Sequence, residues 1–196
     1  MNASTPVILI VYPQEWRCYS KFARKLERIL AAMTSFSVIY PHDDQDLIAQ
    51  FFLSDQRVLA MNLMPTETQQ ATHAIVFDDE LSFAALKTEL LNAGTHLRCL
   101  QIQLTRVVNI DKQEPFDVYI GRGSGFGNPY QIGFDGDDRE EVIRKFHYDF
   151  DRGYLKDNFK TRLLALQGKR LGCHCKPQLC HGDVLAAYLN GYDDGL

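Results

Sequence analysis

VILIVYPQEWRCYSKFARKLERILAAMTSFSVIYP, residues 7–41, changes its apolar period twice. Val7–Tyr12 is an unbroken apolar run rich in β-branched residues, the pattern of a short strand buried on both faces. From Glu15 to Met33 the apolar side chains Tyr19, Phe22, Leu26, Ile29, Leu30 and Met33 recur at helical spacing. Phe36–Tyr40 is again a strand, ended by Pro41. Two strands joined through a helix by short loops predict parallel pairing with a crossover.

The alternation continues downstream. Asp43 or Asp44 is expected to cap a helix. Its apolar side would run through Leu47, Ile48, Phe51, Phe52, Val58, Leu59 and Leu63, stopping before Pro65. Ala74–Phe77 predicts a third strand, and a helix follows from Leu81 with Gly94 at its C′ position. Leu97–Leu104 predicts a fourth strand. The expected fold class is α/β, with a parallel-sheet, Rossmann-like half over residues 1–104 packed with a small α/β domain over 105–196. Ligands of such sheets bind outside the carboxyl ends of the strands. The turn after the first strand, YPQEW, has no GxGxxG, and no GxxxxGK[ST] occurs anywhere. That excludes the usual pyrophosphate turn and an ordinary P-loop.

Composition bounds the partners. With 45% hydrophobic and 23% charged residues among 196, the chain is globular and not disordered. Residues 1–104 carry 8 basic and 11 acidic side chains, and residues 105–196 carry 13 and 14. Neither half has the positive excess that a broad duplex nucleic-acid surface needs. A small anionic ligand such as a nucleotide is the expected partner, and self-association is left open. No apolar run is long enough for a membrane span. The N-terminus lacks a basic n-region and reads as a first strand, not a signal peptide. Five cysteines, an odd number, fit free thiols or a metal site in a reducing cytoplasm.

The chemistry-bearing residues lie in the second half. Phe116–Ile120 is expected as a strand feeding the loop GRGSGFGNP, Gly121–Pro129. Helices are expected after Asp135–Asp138, near Leu155–Leu166, and from about Gly182 to Leu189, with Asn109–Pro115 as a linker. In the loop, Gly121, Gly123, Gly125 and Gly127 permit close approach to the backbone, and successive N–H groups can form an anion nest. Arg122 adds a planar cation, and Ser124 and Asn128 add polar contacts. Gly121, Arg122, Gly123, Ser124, Gly127 and Asn128 are therefore the candidate ligand-binding set. The competing reading is a tight structural turn with Arg122 in an internal ion pair.

The second constellation is GCHCKPQLCHGD, Gly172–Asp183. Cys173 and Cys175, at i and i+2 on a strand, share one side. Three readings stay open. Cys173, Cys175, Cys180 and His181 offer four ligands of the kind zinc prefers, although adjacent ligands at 180 and 181 are geometrically awkward. Alternatively, Cys180 at a helix start is a reactive thiol assisted by His181 and Asp183 as a catalytic set. Otherwise the cysteines are buried structure, with His181 and Asp183 capping the helix.

Two resemblances follow from these motifs. RVLAM and HAIVFDD, within Arg57–Asp79, resemble the RNxxM…DxVIAF stretch of a small branch of the SLOG superfamily, the Rossmann-like group that includes the Lonely Guy and Smf proteins. Arg57 and Met61 keep its spacing. PHDDQD replaces the glycine-rich segment after the second strand, and the PGGxGTxxE signature is absent. The second half is similar to a family of unknown function found in bacteria and tailed phages. It shares VVN (Val107–Asn109), VYIGRGSGFGNPYQIG (Val118–Gly133), Asp135–Gly136 with the REEVI helix, and GKRLGCHCKPQLCHGDVLA (Gly168–Ala186). It departs at His174, where that family often has an aromatic residue. The resemblances imply a nucleotide-, nucleoside- or nucleobase-binding protein. Whether it is an enzyme acting at an N-glycosidic or phosphate-bearing substrate stays open. The alternative is a non-catalytic module, with zinc as its candidate staple, that sequesters a small nucleotide or docks a partner.

Overall fold

A computed structural model describes residues 5–63, 71–156 and 158–195. The chain divides into two compact units, Met1–Ile102 with Asp193–Leu196, and Gln103–Tyr192. Asp193 joins the first unit because its carboxylate pairs with both terminal nitrogens of Arg24 at 2.8 Å.

The first unit alternates β1 (Val7–Val11), α1 (Tyr19–Leu30), β2 (Phe36–Tyr40), α2 (Leu47–Phe52), β3 (Val58–Leu63), β4 (His73–Asp78), α3 (Ala84–Asn92) and β5 (His96–Gln101). The strands form one parallel sheet in the order β3-β2-β1-β4-β5. Alternation sorts the core. Leu9, Val11, Ile39 and Val76 pack with Leu90 of α3 on one face. On the other, Phe77 stacks on Phe22 of α1 with centroids 5.0 Å apart. Gly94, at φ +74°, ends α3 as expected.

The sequence expectation of one long helix through Leu63 is corrected. α2 stops at Phe52, and Val58–Leu63 is an edge strand paired with β2. The turn between them is held by Asp55, which accepts from Arg57 N at 3.0 Å. Arg57 Nη1 in turn reaches the Leu30 carbonyl at 2.9 Å. The expected stop before Pro65 lies outside the described residues.

The second unit contains β6 (Arg106–Asn109), β7 (Val118–Tyr119), α4 (Arg139–Arg152), α5 (Phe159–Leu164), β8 (Arg170–Cys173) and α6 (His181–Gly191). Its sheet is β6-β8-β7, parallel throughout. Phe146 and Phe150 of α4, Phe159 and Leu163 of α5, and Leu185 and Leu189 of α6 make one core with Ile120 and Leu171. Asp138 caps α4 by accepting from Glu141 N at 2.8 Å. Asn190 closes the unit by exchanging two hydrogen bonds with the backbone of Thr105, at 2.8 and 3.1 Å. The segment expected as a linker, Asn109–Pro115, is instead part of this unit. Its Ile110–Lys112 turn is held by Asn109, which accepts from Asp111 N at 2.8 Å and donates to the Lys176 carbonyl.

Candidate functional site

The carboxyl edge of the first sheet is the expected place for a ligand, and among the described residues several polar groups there are already engaged by the protein. Tyr12 is fully buried and its hydroxyl donates to Asp43 at 2.5 Å. Burial and that bond hold the Tyr12 phenol far above its ordinary range. Asp43 in turn accepts from the N–H groups of Ile48 and Ala49 at 3.0 and 2.8 Å. A carboxylate of the chain therefore occupies the helix start where a phosphate would otherwise be favoured. Trp16 is 3% exposed, with its ring 4.7 Å from Phe77. Asp78, at the end of β4, is buried and paired with Lys87.

The second unit is different. The glycine loop and the cysteine segment line one cleft of about 330 Å³. Gly121, Arg122 and Asn128 come from the loop, and Cys173, Cys175, Cys180 and His181 from the segment. The cleft also takes Tyr119, Tyr130, Ile132, Arg139 and Leu179, which were not expected from the sequence. No carboxylate is among its described lining residues.

The loop is built by close approach. A Cβ on Gly127 would stand 2.7 Å from the Gly121 carbonyl oxygen, so the loop folds onto its own start only with glycine there. Gly123 takes φ +88°, and Ser124 Oγ accepts from Phe126 N at 3.2 Å. Gly123, Ser124 and Gly127 thus shape the loop but do not line the cleft. Asn128 lines it with its amide already engaged. Nδ2 donates to the Val142 carbonyl at 3.1 Å, and Oδ1 accepts from Tyr130 N at 2.9 Å. Arg122 is exposed, and no ion pair holds its guanidinium among the described residues. The structural reading of Arg122 as an internal ion-pair partner is set aside on that ground.

Arg139 opens α4, where the helix dipole disfavours a cation. A basic residue in that first turn, beside Glu140 and Glu141, is the signal in the sequence that could have marked it.

Cys173 ends β8 and Cys180 caps α6. Cys180 Sγ accepts from Gly182 N at 3.3 Å, and Cys180 N donates to Asp183 Oδ2 at 3.0 Å. Asp183 Oδ1 meets Lys176 Nζ at 2.5 Å. Both Asp183 oxygens are thus engaged, and the residue caps α6 as the structural reading of the sequence expected, outside the described lining of the cleft. His181 is buried, and its Nε2 lies 2.9 Å from the Ile120 carbonyl. A carbonyl only accepts, so Nε2 is the donor in this contact.

The sulfur atoms of Cys173, Cys175 and Cys180 lie within 4.8 Å of one another, and those of Cys173 and Cys175 are 3.7 Å apart. All are free thiols. The hydrogen bond from Cys180 drives Cys173 toward thiolate, helped by the backbone N–H of Cys175. The same bond pushes Cys180 up, and burial pushes Cys175 up. The trio could hold a metal ion. His181 Nδ1 is 3.7 Å from Cys180 Sγ but is not part of the convergent trio, so the four-ligand set expected from the sequence reduces to three.

Residues 5–108 match the minimal SLOG domain family, and residues 102–191 match a domain of unknown function, DUF4326. The chain is 45% identical over 89 residues to the uncharacterized 12.4 kDa protein in the nrdA-td intergenic region of Enterobacteria phage T4, covering 45% of this chain and 80% of that one. No solved structure matches the chain. No helix among the described residues is long and apolar enough to cross a membrane. SLOG domains are generally nucleotide-related binding domains. The chain belongs to the minimal SLOG family, with a DUF4326 domain following its Rossmann-like sheet.

Proposed function

We propose that this protein binds a small nucleotide or nucleoside phosphate in the cleft of its second unit. One observation carries the reading. In a chain of net charge −4, that cleft presents Arg122 and Arg139 and no carboxylate among its described lining residues. Two guanidinium groups in a half-enclosed site favour a phosphate, whose planar oxygen pairs match their donor geometry. Ile132 and Leu179, both about half exposed, offer an apolar wall of the kind a base covers. The likeness to SLOG domains supports the same ligand class.

Zinc is the proposed cofactor, held by Cys173, Cys175 and Cys180. Around a tetrahedral zinc with bonds of about 2.3 Å, sulfur atoms stand about 3.8 Å apart. The 3.7 Å between Cys173 and Cys175 fits that spacing. Such a centre, held by these three thiolates, would fix the loop that carries them and would supply Lewis acidity.

Of the catalytic and the non-catalytic readings, a specific observation favours binding without hydrolysis by Asp183. Its carboxylate is spent on capping α6 and on Lys176. The test is calorimetric titration of the full chain with adenosine monophosphate, adenosine and inorganic phosphate. Binding of the monophosphate well above the other two supports the reading, and no heat from any of them refutes it.

A further inference from the structure

We infer that the metal centre at Cys173, Cys175 and Cys180 keeps one coordination position open to the cleft, where a small donor ligates the ion directly. This inference rests on the metal reading above and goes beyond it. A structural zinc closes its shell with four protein ligands, whereas three protein ligands leave a place for water or a ligand.

Three donors converge here. His181 is the neighbour that would close the shell, and its position argues against that. Its ring is fixed by the bond from Nε2 to the Ile120 carbonyl and by Phe146, whose ring centroid is 5.3 Å away. Nδ1 comes within 3.7 Å of Cys180 Sγ, yet His181 does not join the three sulfur atoms that all lie within 4.8 Å of one another. Moving Nδ1 into the shell would break the bond to Ile120 or turn the first residue of α6. The three cysteines themselves line the cleft that Arg122 and Arg139 also line, so a fourth ligand would reach the ion from that cleft.

Charge shapes what the open position takes. Three thiolates and one divalent ion sum to −1, which disfavours an anion as fourth ligand. Arg139, which lines the same cleft, offsets part of that charge. A phosphate is better placed on the arginines, and a neutral donor such as water or a ring nitrogen on the ion.

The experiment is cobalt(II) substitution of the full chain, followed by absorption spectroscopy during titration with imidazole, a neutral ring-nitrogen donor. The expected results are one metal ion per chain, thiolate-to-cobalt charge transfer with tetrahedral d–d bands, and a saturable shift of those bands with imidazole. Cys175→Ser, at the least buried of the three, is expected to lower metal occupancy at least tenfold while circular dichroism shows an intact fold. A metal-free protein, or cobalt bands that imidazole leaves unmoved, overturns the inference. Calorimetry with adenosine monophosphate is read separately. If that nucleotide fails to bind while imidazole moves the bands, the nucleotide reading falls and the open metal position stands.

Discussion

His181 Nε2 donates to the carbonyl of Ile120 across 2.9 Å, tying the first turn of α6 to the residue that precedes the glycine loop. The two walls of the cleft come from segments about sixty residues apart in sequence, and this buried bond fixes one against the other. Removing it leaves the Ile120 carbonyl buried without its partner. His181→Ala is therefore expected to cost about 1–3 kcal/mol, plus lost packing on Phe146. Chemical denaturation measures it, and an unchanged midpoint would show that the bond does not hold the walls.

Space at the same junction is equally tight. A Cβ on Gly182 would meet Ile120 Cδ1 at 2.6 Å and both Val107 methyl carbons at 3.1 Å. Gly182→Ala is expected to destabilise the protein by about 1–3 kcal/mol through overpacking, even though alanine favours helix. A thermal melt that rises instead would place α6 farther from β6 than described.

Tyr12→Phe separates the units by function. It removes a hydroxyl that donates to Asp43 and accepts from Gln45 N at 3.2 Å. Stability should fall by about 1–2 kcal/mol. Affinity for adenosine monophosphate should not change, because the proposed cleft belongs to the second unit. A tenfold loss of affinity would move the binding site to the first sheet's carboxyl edge.

A pH dependence follows from Asp117. Two hydrogen bonds from the Arg170 side chain and one from its backbone N–H hold the Asp117 carboxyl at a pKa of about 2, below its ordinary value of 3.8. A lowered carboxyl pKa stabilises the fold above the unfolded value, and that contribution disappears as pH falls from about 4 to about 2. The tie between the strand segment at Asp117 and β8 should weaken in that window. Carbon NMR of the Asp117 carboxyl checks the midpoint, and a value near 4 would contradict the geometry.

Much of the first unit was legible because strands buried on both faces leave uninterrupted apolar runs. β1 and β4 showed in this way, and β2 with only Ser37 interrupting it; β5, an exposed edge strand, showed as the mixed run Leu97–Leu104. β3 did not, since Val58, Leu59 and Leu63 also fit a helical period, and the break before them is made by Arg57 reaching Leu30, 27 residues away. In the second unit, the thiols of Cys173 and Cys175 do come together, 3.7 Å apart, but β8 ends at Cys173, so the turn after the strand and not strand alternation brings Cys175 there. The sequence offered Asp183 as a cap among three open readings, but it did not reveal that Arg139 joins Arg122 at the cleft. That depends on where α4 begins relative to the glycine loop, which is a tertiary relation.

The most direct test of the anion cleft is calorimetric titration of adenosine monophosphate into the wild type, Arg122→Ala and Arg139→Ala. A charge-assisted contact to phosphate is worth about 1.5–3 kcal/mol, so each variant should bind about 10- to 100-fold more weakly. Arg122→Ala should do so with an unchanged melting temperature, because no ion pair holds that side chain among the described residues. Equal affinity in all three proteins would contradict the account.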